Sequence, residues 1–170
     1  MLQIHQRLHD HRPTDDVLIL PFELRCRARF RAVSEQGVAV GLFLERGHIL
    51  DEGDVLVSDC GKRFAVLAAP EAVVTATAVD LRSFARACYH LGNRHVPLQL
   101  GDHWVRFQPD HVLEEMLLTF GLALSREAQP FRPEPGAYSA QGGGHAHHRH
   151  DHGRHHHAHH HDHSHEHHGH

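Results

Sequence analysis

The stretch AVVTATAVDLRSFARACYHLGNRHVPLQLGDHWVRFQPDHVLEEMLLTFGLALS, Ala72–Ser125, decides the fold. Its opening, Ala72 to Ala78, is rich in β-formers and reads as a strand. Asp80 then offers a carboxylate to the free amides of a helical first turn. Leu81, Phe84, Ala85, Cys88 and Leu91 recur at helical spacing and predict one apolar face. Gly92-Asn93 reads as the stop, with glycine taking the left-handed position after the helix. Pro97–Leu100 and Trp104–Phe107 read as two short strands joined at Gly101-Asp102. Asp110 caps a second helix with Val112, Leu113, Met116, Leu117 and Phe120 on one face and Gly121 at its end. Leu122–Ser125 reads as a last strand. The order β-α-β-β-α-β is that of a ferredoxin-like split βαβ unit.

Upstream, the rhythm is that of short strands separated by turns. Val17–Leu20 is a short apolar run ended by Pro21. Cys26, Ala28, Phe30 and Ala32 alternate with Arg25, Arg27, Arg29 and Arg31, which predicts a strand with a solvated arginine face. Val38–Leu44, Val55–Val57 and Phe64–Leu67 follow, bounded by turn signals at Glu35-Gln36-Gly37, Asp51–Asp54 and Asp59-Cys60-Gly61. The expectation is an α+β chain: an all-β N-terminal domain at 1–70, a ferredoxin-like βαββαβ domain at 71–136, and a disordered His-rich tail at 137–170. Pro130, Pro133 and Pro135 mark the exit from the second domain, and Gly142-Gly143-Gly144 forms a flexible hinge.

The formal net charge is −4, with Lys62 the only lysine. No basic excess is gathered into a patch, which argues against a nucleic-acid partner. The apolar runs fall far short of the ~20 residues that a membrane helix needs. Met1-Leu2-Gln3-Ile4-His5 has no charged leader followed by an apolar stretch, so a secretory signal is not expected. Cys26, Cys60 and Cys88 are scattered without a CxxC pair; they read as small core residues in a reducing cytoplasm.

The tail carries the plainest chemistry. Of the 24 histidines, 16 lie between His145 and His170, where no apolar residue exceeds alanine in size. Such a segment cannot offset its folding entropy by burial. Neutral imidazole suits nickel, zinc and copper. His145, His147, His148, His150, His152, His155, His156 and His157 therefore read as overlapping metal ligands of high capacity and modest individual affinity. Asp151, Gly153, Arg154, Asp162, Ser164 and Glu166 interrupt the histidines, unlike a uniform expression tag. Acidification through about pH 6.5 charges an unperturbed imidazole and releases its metal.

In the body, YHLGNRHVPLQ (Tyr89–Gln99) closely resembles the signature of the UreE urease accessory proteins, a nickel metallochaperone family. DHVLEEML (Asp110–Leu117) resembles that family's second-helix segment, and GLFLERGHILDEGDVLVSDCG (Gly41–Gly61) resembles its N-terminal domain. The resemblance implies a polypeptide-binding N-terminal domain and a homodimer formed through the second. It implies that His95 binds Ni(II) at the dimer interface, and that the cargo passes to urease apoprotein through an accessory GTPase. His111 matches an accessory metal histidine of some members. The position two residues earlier, histidine in those members, is Pro109 here, and proline has no side-chain ligand.

Independently of the resemblance, His95 falls between a helix stop and Pro97, on a short constrained loop. One histidine is a poor site, but a two-fold axis brings two equivalent residues together. His111 and Glu115 stand four apart, either a two-point metal site or a solvated polar pair. His90 reads as a helix-end residue; His5, His9 and His11 read as surface residues, and His48 and His103 fall in or near turns and carry no motif. A nickel carrier is the leading expectation, with Zn(II) or Cu(II) as competitors. The alternative is a cytoplasmic nickel or zinc buffer acting through the tail. No HExxH, GxSxG or phosphate-binding glycine loop points to an enzyme.

Overall fold

A computed structural model describes residues 1–10 and 12–135; the expected tail disorder and the tail histidines lie outside them. The N-terminal part is a mixed sheet. Its strands are β1 (Leu2–Leu8), β2 (Asp16–Leu20), β3 (Arg29–Val33), β4 (Ala39–Phe43), β5 (Val55–Ser58) and β6 (Arg63–Ala68). They lie in the order β2-β6-β5-β1-β4-β3. β1–β4 and β2–β6 are parallel and the remaining pairs antiparallel. Period-two alternation sends Ile4, Leu18, Leu42, Leu56, Phe64 and Val66 to one buried face.

The arginine stripe differs from expectation. Pro21 ends β2 and opens a one-turn helix, α1 (Phe22–Arg25). A helical turn breaks the period of two, so Arg25 points inward and is only 1 % exposed. Its Nη1 donates to the Leu50 carbonyl at 3.0 Å, its Nη2 donates to the Phe131 carbonyl, and its guanidinium lies 5.5 Å from the centre of the Phe22 ring. Arg27 pairs with Glu23, and only Arg29 and Arg31 ride on the exposed face of β3. Cys26 and Cys60 are exposed, not core residues; Cys88 is half-buried against the second core.

The second sheet begins at β7 (Pro70–Thr77) and continues through α2 (Leu81–Gly92), β8 (Gln99–Gly101), β9 (Trp104–Phe107), α3 (His111–Thr119) and β10 (Ala123–Pro130). Its order, β10-β7-β9-β8, with all pairs antiparallel, is the split βαβ arrangement. Trp104 lies over Gly101, where any Cβ would collide with the indole. Val74, Ala76, Val105 and Phe107 from the sheet meet Ala87 and Leu91 of α2 and Leu113 and Leu117 of α3. The helical faces are rotated from the expected ones. Leu81, Ala85 and Val112 stay exposed, and Ala87 takes the buried place. The two sheets are joined where Phe22 meets Phe131 edge to face at 5.3 Å beside Val73, and where the Phe22 amide donates to Glu71 at 2.8 Å. Arg132 pairs with Glu52 across the same junction.

Candidate metal site

His95 owes its position to the way α2 ends. At the start of the helix, Asp80 accepts from the Ser83 amide at 2.8 Å, and this bond holds the Asp80 carboxyl below its usual range. At the far end the chain does not reverse at Gly92. It winds on as a tighter turn: the Asn93 amide donates to the Tyr89 carbonyl, Arg94 to Leu91 and His95 to Gly92, the last two at 3.0 Å. The left-handed residue is therefore His95 itself, with φ 54°. A residue with a Cβ pays about 1–2 kcal/mol in that conformation, which glycine does not.

His95 is exposed, and its ring makes no hydrogen bond or ion pair among the described residues. Strained backbone at an exposed, otherwise unoccupied side chain is a pattern found at ligand sites. The exit segment runs beside this loop. Phe131 is buried, the Arg132 amide donates to Gln99 Oε1 at 3.1 Å, and the Glu134 amide donates to the Leu98 carbonyl at 2.7 Å. The C-terminal segment thus takes its root three residues along the chain from His95.

His111 opens α3 and is exposed, as are Pro109 and Glu115. Its neighbour Asp110 caps the helix, accepting from Val112 and Leu113 at 2.9 and 3.1 Å. Among the described residues, no group of three or more His, Cys, Asp or Glu side chains is arranged to hold a metal. His145, His147, His148, His150, His152, His155, His156 and His157 lie outside the described residues. His90 is in the last turn of α2, its ring 4.9 Å from Phe120, over which Arg86 stacks at 4.0 Å. His5 stacks on Phe43 at 5.4 Å, and His9 Nδ1 lies 3.0 Å from Asp54 Oδ1. Sequence reasoning missed the His9–Asp54 contact, because a buried acid in a turn carries no local signal.

Comparison with known proteins places both halves in one family. The family model described as UreE urease accessory protein, N-terminal domain, matches residues 1–69. That described as the C-terminal domain of the same family matches residues 71–170. A urease accessory protein UreE of Alteromonas mediterranea is 46 % identical over 146 residues, covering 85 % of this chain and 95 % of that protein. The UreE of Psychromonas ingrahamii is 43 % identical, covering 86 % and 97 %. That of Alkalilimnicola ehrlichii is 50 % identical over 138 residues, covering 81 % and 85 %.

Proposed function

The chain belongs to the UreE urease accessory protein family, and from that premise we propose that it is a nickel metallochaperone acting in urease maturation. It carries Ni(II) as cargo and delivers it to urease apoprotein through an accessory GTPase in the cytoplasm. Zn(II) or Cu(II) competes for the same nitrogens. The observation that carries the reading is His95: exposed, held in a left-handed conformation, and without a partner ring or acid among the described residues.

One imidazole is an incomplete site, and its completion comes from two sources. A second copy contributes its own His95 across a two-fold axis. The helical layer carries apolar surface for such a contact: Leu81 and Tyr89 on α2 and Val112 and Leu118 on α3 are all more than half exposed. The tail histidines, from His145 onward, are tethered to the root beside Leu98 and hold a high local concentration of ligand. His111, exposed at the start of α3, is an accessory ligand, with Pro109 contributing nothing. The incomplete site suits transfer, because open positions admit the acceptor's ligands before the donor's are released. The division of labour puts metal in residues 71–136, reserve ligands in 137–170, and the polypeptide partner on the sheet of residues 1–70.

The test is a nickel titration by calorimetry on the chain ending at Gly144, beside its His95→Ala variant. The expected result is one tight ion per dimer, abolished by the substitution. A truncated chain that binds nothing tightly overturns the carrier reading and leaves the tail as a metal buffer.

A further inference from the structure

Strand β3 is an edge of the six-stranded sheet: among the described residues nothing pairs with its outer side. The Leu44 amide donates to the Ala28 carbonyl at 2.8 Å and the Ser34 amide to the Val38 carbonyl at 3.0 Å. In an antiparallel ladder hydrogen-bonded pairs alternate with unbonded ones. With Ala28 and Ser34 both bonded to β4, the register Phe30↔Leu42 and Ala32↔Val40 is bonded too. The amides and carbonyls of Arg29, Arg31 and Val33 therefore point outward along the free edge.

These three residues also share one face of the sheet. Arg29 stands opposite Phe43, Arg31 opposite Gly41 and Val33 opposite Ala39. Val33 is 64 % exposed and Phe43 42 % exposed, and Met1 lies beside Gly41 and Phe43. The face thus combines the apolar surface of Met1, Val33 and Phe43, on which the His5 ring stacks, with two cations at its rim. The charge on them is not used internally. Arg7, Arg12, Arg25, Arg27 and Arg63 each face a carboxylate, whereas Arg29 and Arg31 face none among the described residues.

We propose that the β3 edge accepts an extended acidic segment of a partner protein, added as a further antiparallel strand, with carboxylates opposite Arg29 and Arg31 and an apolar side chain opposite Val33. The proposal rests on the reading that the N-terminal sheet binds a polypeptide, and it adds where and by what chemistry. Backbone bonds to Arg29, Arg31 and Val33 supply the pairing, and alternate side chains supply the selection. A second copy of this chain is disfavoured in the symmetric register of the edge. Antiparallel self-pairing centred on Arg31 would set Arg31 against Arg31, and like charges directly opposite repel. The arginines thus weigh against the identical strand and select the oppositely charged one.

The test uses the nickel-free full chain, labelled with nitrogen-15, and the peptide acetyl-Val-Thr-Glu-Thr-Glu-amide, whose glutamates fall opposite Arg31 and Arg29. The control, acetyl-Val-Glu-Thr-Glu-Thr-amide, has the same composition with its glutamates on the opposite face. The expected result is amide shifts concentrated at Arg29, Arg31 and Val33, saturating at least threefold more tightly for the first peptide and weakening with salt. The double variant Arg29→Gln/Arg31→Gln loses that preference with its spectrum otherwise unchanged. Equal binding of both peptides, shifts centred elsewhere, or no shifts at millimolar peptide overturns the proposal. Nickel affinity of the double variant, titrated separately, stays at the wild-type value. A loss there would count against the carrier reading and not against the edge.

Discussion

The turn after α2 and the β8–β9 hairpin each hold a histidine in the left-handed conformation, His95 at φ 54° and His103 at φ 60°. They are the only non-glycine residues with positive φ among the described residues. Their surroundings differ. The His103 ring stacks on Phe84 with centroids 6.1 Å apart, and its carbonyl accepts the Ala78 amide at 2.8 Å. Packing against a neighbour of the core explains why that histidine is held. His95 has no such contact, although it bears the same backbone cost. The lesson is that a strained conformation means little until its side chain's partners are counted. By that measure one histidine serves the fold and the other is left available to a ligand.

The comparison can be broken at several points. Arg25 is the extreme of the packed case: it is buried, and both terminal nitrogens of its guanidinium donate to backbone carbonyls. Arg25→Ala leaves the Leu50 and Phe131 carbonyls unpaired at the junction of the two sheets and is expected to cost about 3 kcal/mol. Denaturant melts of the chain ending at Gly144 read this directly, and the nickel stoichiometry should not change. A loss of nickel with native stability would show that the junction belongs to the site.

The glycine swaps compare the two histidines most closely. His95→Gly relieves the left-handed penalty and gives up no internal contact, so it should stabilise the apo chain by about 1 kcal/mol while losing tight nickel. His103→Gly relieves the same penalty and loses the stacking on Phe84, so its net change should lie within about 0.5 kcal/mol, with nickel retained. Equal gains from both swaps would erase the distinction.

A smaller effect, confined to acid, separates metal loss from unfolding. Burial pushes the Asp16 carboxyl up, but hydrogen bonds from Ser34, the Val17 amide, Lys62 and the Gln36 amide outweigh it and hold the group at about 2, against 3.8 for a free aspartate. The folded value is depressed. The stability it brings is therefore fully present above 3.8 and is lost as pH falls from there towards about 2. Asp16→Asn should flatten that acid limb in thermal melts taken between these limits. An unperturbed imidazole charges at about pH 6.5, well above this acid limb, so metal loss through histidine protonation and unfolding are read at separate pH values.

How much of this was legible in the sequence follows from the range of each signal. The β-α-β-β-α-β order was readable because Asp80, Asp110 and Gly121 act on their immediate neighbours. Arg25 was not, because four alternating arginines mimic a strand, and the turn after Pro21 that buries one of them is fixed by distant Phe131 and Leu50. The exposure of Leu81 and Val112 was hidden for a similar reason: helical periodicity gives an apolar face, and only packing decides which edge of it is covered. His95 was found through the motif around it, but its left-handed backbone was not. Gly92 offered the obvious stop and α2 does end there, but the chain winds on as a tighter turn and the left-handed residue is His95 rather than the glycine.

The central claim is that two copies of His95 meet on one nickel ion. Native mass spectrometry of mixed dimers tests it most directly. Chains ending at Gly144 are mixed with a mass-tagged His95→Ala form, exchanged to equilibrium, and loaded with limiting nickel. The account predicts one ion on the all-wild-type dimer, none retained on the variant dimer, and markedly weaker retention on the mixed species. Mixed and variant dimers that hold nickel as firmly as wild type would contradict it.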